Sequence, residues 1–179
     1  MELRGAEFAL SYIGIGSNQG DRLANLSEAI YILSGIREIQ VANVSSAWRS
    51  DPVGMPPGTR EFLNAVIALK TVLSPRDLLS TCLGTERLMG RDRSWVISDR
   101  PIDLDLLYFD GLEIREPDLI VPHPRAHTRT FVLNPWIEIA PGFTLYGATL
   151  EEWLSMIPEP ERVDCACAGP IPDYDKLNR

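Results

Sequence analysis

Arg100-Pro101-Ile102-Asp103-Leu104-Asp105-Leu106-Leu107-Tyr108-Phe109 is the stretch on which the reading of this chain turns. It has the apolar content of a buried strand, yet it carries two acids. Side chains alternate faces along a strand, so Asp103 and Asp105 share one face, while Ile102, Leu104 and Leu106 enter a core. Two residues of strand set the carboxylates about 6.5–7 Å apart. Like charges held side by side on an apolar strand repel, and a cation or an Arg is what normally resolves the conflict. Two Mg²⁺ ions about 3.5–4 Å apart would fit between such groups. A solvated edge strand with salt-bridged aspartates satisfies the same short pattern, so the rest of the chain has to decide.

Downstream, Asp110-Gly111 is a tight-turn signal, and residues 112–120 are expected to pair back as a hairpin. Val121-Pro122-His123-Pro124 leaves that strand. A helical stretch then runs to residue 140 with Phe131, Leu133, Trp136 and Ile139 as core, and residues 150–157 form a last short helix. Residues 159–179, rich in Pro and Gly, read as a tail with little fixed structure beyond a domain spanning 8–158.

Upstream, residues 91–99 are a polar connection. Ser74-Pro75-Arg76-Asp77 starts a helix with a cap, Pro at the first position and an acid in the first turn. That helix carries Glu86 near its end and stops at Gly90. Residues 62–71 are an apolar strand with Asn64 as the polar exception; a buried Asn needs a partner, either backbone or the edge of a polar heterocycle. Residues 50–58 form a Pro- and Gly-rich loop, and residues 36–49 a second, bent strand. Residues 8–16 are the first strand. Gly14 to Asp21 lacks both the dinucleotide fingerprint and the phosphate-loop lysine, so it reads as a tight turn into a helix with Leu23, Leu26, Ile30 and Leu33 on one face. The order β-α-β-β-α-β-β-α describes one α+β domain with a mainly antiparallel sheet.

A length of 179 residues, 45% apolar and 23% charged, suits one soluble domain. The net charge of −8 argues against a nucleic-acid or anionic-membrane surface. The cations, however, are 15 Arg and only 2 Lys, and they cluster as Arg87, Arg91, Arg93, Arg100 and as Arg125, Arg129. Arg suits bidentate phosphate contacts, so a locally basic pocket for a small anion is expected. No signal-peptide pattern and no membrane-spanning run is present. Cys82, Cys165 and Cys167 have no disulfide or metal spacing and read as reduced thiols in a cytoplasmic protein, the last two incidental to a tail.

His123 and His127 are four apart, but no zinc signature surrounds them and Pro124 breaks the turn. His123 reads as a phosphate contact at a strand end or as a capped loop residue. No Ser or Cys has a visible base. Two acids for a metal, an Arg cluster and a polar residue in a buried strand together point to phosphoryl-type transfer, where catalysis is positioning and charge neutralisation. A ligand-binding regulatory module would keep the pocket without needing both aspartates. A sugar-nucleotide transferase would use D-x-D with a larger nucleotide domain than this length supplies.

The segments Tyr12-Ile-Gly-Ile-Gly-Ser-Asn18, Phe62-Leu-Asn64, Arg100-Pro-Ile-Asp-Leu-Asp-Leu-Leu107, Val121-Pro-His-Pro124 and Arg129-Thr-Phe131 resemble, in order and spacing, the 6-hydroxymethyl-7,8-dihydropterin pyrophosphokinase family of folate biosynthesis. The resemblance spans roughly residues 10–142. It implies a ferredoxin-like fold and transfer of a pyrophosphoryl group from ATP to the hydroxymethyl oxygen of a reduced pterin, releasing AMP. It implies that Asp103 and Asp105 hold two Mg²⁺ ions. It implies that Arg91, Arg93, Arg100, His123 and Arg129 contact ATP, with Arg91 and Arg93 catalytic on a mobile loop. Ser50, Pro52, Val53, Phe62, Asn64 and Phe131 would line the pterin pocket, and Glu86 would be a supporting acid near the nucleotide. The expected partners are ATP and the pterin alone, with no nucleic acid or membrane, and the expected state is a monomer. The chain departs from the family at Ser98-Asp99, where small residues or Pro are usual, and the 91–99 loop is about one residue short, with its Trp position at Trp95 or Ile97. Asp99 is therefore expected to pair with Arg100 when the site is empty.

Overall fold

The computed structural model describes residues 7–92, 99–159 and 165–172. Strand β1 (Ala9–Ser17) leads through a tight turn into α1 (Arg22–Ser34). Asp21 caps that helix by accepting the Ala24 N–H at 3.1 Å, and Leu26, Ala29, Ile30 and Leu33 form its buried face. Strands β2 (Ile39–Val44), β3 (Ala47–Ser50) and β4 (Phe62–Thr71) follow. Helix α2 (Pro75–Leu88) starts as its sequence predicts: Ser74 accepts the Asp77 N–H at 3.1 Å and Pro75 opens the first turn. Gly90 ends it with a φ of 85°, a conformation that glycine adopts without a Cβ penalty. Then come β5 (Asp103–Phe109), β6 (Ile114–Glu116), β7 (Leu119–Val121), a 3₁₀ turn at Ala126–Thr128 and α3 (Thr130–Ile139). The hairpin of β8 (Thr144–Leu145) and β9 (Ala148–Thr149), helix α4 (Leu150–Met156) and β10 (Cys165–Gly169) complete the described chain.

The main sheet runs β10-β3-β4-β1-β5, with β2 beside the other half of β4 and every pairing antiparallel. With β2 and β3 taken as one interrupted strand, the core is βαββαβ in the ferredoxin-like arrangement. Helices α1 and α2 cover one face over Ile13, Ile15, Leu63, Ile67, Leu104 and Leu106. Helices α3 and α4 cover one end of the other face, over Tyr12, Val66, Ala68 and Leu107. The opposite end of that second face is left open.

Three expectations are corrected. Residues 36–49 are two strands, not one. The break falls at Ser45–Ser46, where Glu138 of α3 accepts both the Ser46 N–H (2.9 Å) and its hydroxyl (2.8 Å), pulling the backbone out of the ladder. The Asp110-Gly111 turn forms, with φ of 44° and 75°, but the chain after it does not return to β5; β6 pairs with β7 instead. The outer edge of β5 is already engaged, since the Leu107 carbonyl accepts the His123 N–H at 2.9 Å and the Leu104 N–H goes to the Glu86 carboxylate at 2.8 Å. Finally, residues 165–169 are not a loose tail. They add a strand to the main sheet, paired with β3. No described helix is long and apolar enough to cross a membrane.

Candidate active site

Ladder register builds the site. Asp103 of β5 stands opposite Gly16 of β1, which stands opposite Asn64 of β4; one row along, Asp105, Gly14 and Val66 are opposite one another. Directly opposed residues project on the same face. The two acids and Asn64 therefore share one surface, separated by two glycines that leave its floor bare. A cavity of about 400 Å³ opens there, within the range of small-molecule sites. Of the residues singled out from sequence, Ser50, Val53, Phe62, Asn64, Arg100, Asp103, Asp105, Arg129 and Phe131 line it.

The predicted charge conflict is real, and arginine resolves half of it. Asp103 is held by Arg91 Nη1 and by Arg100 Nη2, the latter at 3.1 Å. Asp105 has neither partner. Burial, then the neighbouring Asp103, raise its pKa from 3.8 to about 6, against the opposing pull of Arg129 and Arg91. Across the cavity, Arg100 lies over the Phe62 ring (5.2 Å to its centre) and Arg129 over Phe131 (5.5 Å). Burial first, then Arg125, lowers the pKa of Arg129 from its ordinary value. Asn64 is buried, and its amide nitrogen donates to Ser50 Oγ at 2.9 Å and the Trp48 carbonyl at 3.4 Å, so the partner of this polar residue is the neighbouring strand.

Other predicted residues fall elsewhere. Glu86 is fully buried and does not line the cavity; it accepts from Arg91 at 2.5 Å and from the Leu104 N–H, at the outer edge of β5. Arg91 is turned toward those acids and also lies off the cavity wall, as do Pro52 and His123. The His123 ring accepts the Arg125 N–H at Nδ1 (3.1 Å), which leaves Nε2 as its donor. Burial, then Arg129 and Arg125, hold its pKa down at about 4, so the ring is neutral near pH 7. His127 packs edge-on against Tyr146 and Trp153, which makes it a packing residue and not half of a zinc pair. Arg93 lies outside the described residues, as do Trp95, Ile97 and Ser98.

Asp99 does not pair with Arg100. Its carboxylate accepts from Asn18 Nδ2 at 2.6 Å, while Asn18 Oδ1 accepts the Arg100 N–H at 2.8 Å. Asn18, fully buried in the turn after β1, thus anchors the entry to β5. Sequence reasoning missed this role, although an Asn in a buried turn was a signal for it. It also missed Met55 and Leu107 as cavity residues, whereas Arg125, expected in a basic pocket beside Arg129, does line it. Leu107 faces the cavity by the same alternation that aligns Asp103 and Asp105, and the β1–β5 ladder is irregular at this point: Tyr12 pairs with Tyr108, but Ile13 pairs with Leu106.

Comparison with known proteins places this geometry. The model of the family described as 7,8-dihydro-6-hydroxymethylpterin-pyrophosphokinase matches residues 12–141. A 2-amino-4-hydroxy-6-hydroxymethyldihydropteridine pyrophosphokinase of Methylorubrum extorquens is 37% identical over 147 residues, which is 82% of this chain and 92% of that protein. The protein of the same name from Bacillus subtilis is 41% identical over 130 residues, 73% of this chain and 77% of that one. Among solved structures, an HPPK-DHPS in complex with substrates superposes with a TM-score of 0.67 at 11% identity, over 83% of this chain and 43% of that one. Plasmodium falciparum HPPK-DHPS with pteroate gives 0.65 at 13% identity, over 83% of this chain and 44% of that one. At such identities the two structures speak to the fold, and this chain spans less than half of either.

Proposed function

The chain belongs to the 7,8-dihydro-6-hydroxymethylpterin-pyrophosphokinase family, and from that membership we infer how its residues divide the work of one reaction. The reaction is pyrophosphoryl transfer from ATP to the hydroxymethyl group of 6-hydroxymethyl-7,8-dihydropterin, a step of folate biosynthesis. The hydroxymethyl oxygen bonds to the β-phosphorus, the bond from that phosphorus to the bridging oxygen of AMP breaks, and the hydroxyl proton is lost to solvent or base. The observation that carries the residue assignment is the shared face of Asp103, Asp105 and Asn64 across two glycines, with an aromatic residue at either side of the cavity.

Asn64, held by Ser50 and the Trp48 carbonyl, presents its amide edge to the heterocycle. Phe62 and Phe131 supply the stacking faces, now covered by Arg100 and Arg129. Those guanidiniums, with Arg125 beside them, neutralise the phosphates of ATP and orient them toward the hydroxymethyl group. His123, neutral and with Nε2 as donor, is a hydrogen-bonding group for the nucleotide. Arg91, and with it Arg93 on the adjoining segment, supports the charge that develops on the transferred group. Glu86 positions Arg91 and does not itself reach the nucleotide.

The donor set fits magnesium. Among the described residues no cluster of three or more His, Cys, Asp or Glu side chains could hold a metal, but Mg²⁺ is usually bound by one or two carboxylates plus substrate phosphates and water. Asp103 and Asp105 supply that pair, and burial, then the charge of Asp103, raise the pKa of Asp105 against the pull of Arg129 and Arg91. Two bound ions would add charge neutralisation between the phosphates and these acids. We propose that the chain works as a monomer. Three free cysteines suit a cytoplasmic setting.

The test is AMP release from ATP in the presence of the pterin, with and without Mg²⁺. Turnover that needs both supports the reading. Pterin binding without turnover would identify a ligand-binding module instead.

A further inference from the structure

Strand β3 is short, and it carries a disproportionate share of the cavity. Ser50 is its last residue, and the loop that follows it supplies Asp51, Val53 and Met55 to the wall. On one side β3 is held to β4 by three residue pairs, Trp48 with Asn64, Arg49 with Leu63 and Ser50 with Phe62. Without further support it would be an exposed edge, the least constrained position in a sheet.

β10 supplies that support. Cys165 stands opposite Ser50, Ala166 opposite Arg49 and Cys167 opposite Trp48. Cys165 thus projects on the same face as Ser50, toward α3, and its sulfur lies 3.7 Å from the Thr130 hydroxyl. Thr130 sits between Arg129 and Phe131, both on the cavity wall. The segment is also anchored beyond the strand: Ile171 is buried in the core over α1, and the Pro172 carbonyl accepts from Ser27 at 3.1 Å. The whole of β10 lies outside residues 12–141, the part of the chain that the family model matches.

We propose that β10 is a positioning element for the heterocycle end of the cavity. It fixes β3, and with it the Ser50–Asn64 pair and the mouth loop, and through Cys165 it ties that wall to the start of α3, where Phe131 sits. This rests on reading that end as the pterin subsite. A coupling of this kind is reciprocal: what orders β10 tightens the pterin, and the bound pterin orders β10 by the same factor. ATP, held by the arginines and aspartates and not by the Ser50–Asn64 pair or the mouth loop, is expected to be uncoupled from it.

The experiment uses the intact protein and two variants. In wild type, backbone amide exchange of residues 165–169 and iodoacetamide alkylation of Cys165 are followed alone, with a non-hydrolysable ATP analogue plus Mg²⁺, and with the pterin added to that mixture. Pterin is expected to slow both by about fivefold or more, and the nucleotide alone to slow neither. Ala166→Pro, which disrupts the strand, is expected to raise the pterin Kd about tenfold or more while the ATP Kd stays within twofold. Cys165→Ser, which keeps a hydroxyl-sized partner for Thr130, is expected to hold both near wild type. Unchanged exchange on pterin binding overturns the proposal. So does an Ala166→Pro protein that binds both ligands normally or loses both equally, because β10 would then be a purely structural strand. If Ala166→Pro does not fold, the wild-type exchange and alkylation decide alone. A wild-type protein in which pterin has no measurable Kd and protects no amide of residues 62–66 overturns the substrate reading itself, a result distinct from pterin binding without protection of β10.

Discussion

The carboxylate of Glu86, from inside the core, accepts the backbone N–H of Leu104 at 2.8 Å, and Leu104 is the residue between the two aspartates. The same carboxylate oxygen accepts from Arg91, whose guanidinium also holds Asp103. One buried acid thus sets both the height of β5 and the placement of a cation against its first aspartate.

Glu86→Ala leaves the Leu104 N–H and much of the Arg91 charge without a partner. Removing one member of a buried ionic network costs on the order of 3–5 kcal/mol. Glu86→Gln keeps an acceptor for one of the two donors and should cost about 1–3 kcal/mol. Urea unfolding of both variants measures this. A loss below about 1 kcal/mol for Glu86→Ala, the worth of an exposed pair, would show that the network carries no load.

Asp105 makes the protein's stability depend on pH in a stated direction. Its pKa rises from 3.8 unfolded to about 6 folded, so between these values the folded state binds more protons than the unfolded one. Stability from this group is full below about pH 4 and is lost as pH rises through about 6. The whole effect is at most about 3 kcal/mol, at about 1.4 kcal/mol per unit. Asp105→Asn removes the penalty. In EDTA at pH 7.5 it should be more stable than wild type by about 1–3 kcal/mol, while AMP release falls by a factor of about a thousand or more. Thermal unfolding from pH 4 to 8 checks it. An Asn variant with the same pH profile as wild type would mean that another group titrates there.

Much of this site was legible because strand alternation is a strict rule. Two acids two residues apart on an apolar strand had to share a face, and an apolar strand interrupted by Asn64 had to find that Asn a partner. The helix cap at Ser74 was equally local. The features that escaped are those fixed by contacts distant in sequence. Nothing near Ser45 announces that Glu138, more than ninety residues on, will break the strand there. Nothing in 112–120 shows that the edge of β5 is already taken by Glu86 and His123. The β10 segment looked like a tail because small and turn-forming residues dominate it, yet its backbone needs no special side chains to extend a sheet. Glu86 is near the nucleotide by resemblance; its partners are the outer edge of β5 and Arg91, which links it to Asp103.

Asn18 and Asp99 separate two explanations of the entry to β5. Since Arg100 pairs with Asp103 and not with Asp99, Asp99→Ala should change the ATP Kd by less than about threefold, within the worth of one exposed charge. Asn18 is fully buried and bonds both Asp99 and the Arg100 backbone, so Asn18→Ala should cost about 2–3 kcal/mol of stability and raise the ATP Kd about tenfold. Isothermal titration with ATP and Mg²⁺, beside unfolding curves, tests both. A larger affinity loss for Asp99→Ala than for Asn18→Ala would place the acid itself in the nucleotide site.

The two glycines of β1 offer the sharpest test of where the heterocycle lies, because they differ by one row of the sheet. A Cβ built on Gly16 would fall 3.1 Å from the Asn64 side-chain oxygen and 3.9 Å from the Phe62 ring. That oxygen belongs to a buried amide tied to Ser50 and the Trp48 carbonyl, so it cannot retreat without loosening those bonds. A Cβ on Gly14 would meet only the Leu107 side chain at 3.4 Å, an ordinary contact with a flexible partner. Neither glycine has a left-handed φ, so alanine is acceptable to both backbones and the difference is one of space. Gly16→Ala should therefore raise the pterin KM about tenfold or more, equivalent to about 1.4 kcal/mol, and leave the ATP KM within about twofold. Gly14→Ala should change either KM by less than about threefold, since filling space beside an adaptable side chain costs little. Steady-state AMP release with each substrate varied in turn gives all four constants. If Gly14→Ala is the variant that loses pterin, the heterocycle sits one row nearer Asp105 and Val66 than Asn64 implies. If Gly16→Ala weakens ATP and pterin alike, Asn64 is a structural amide and the recognition edge lies elsewhere on the cavity wall.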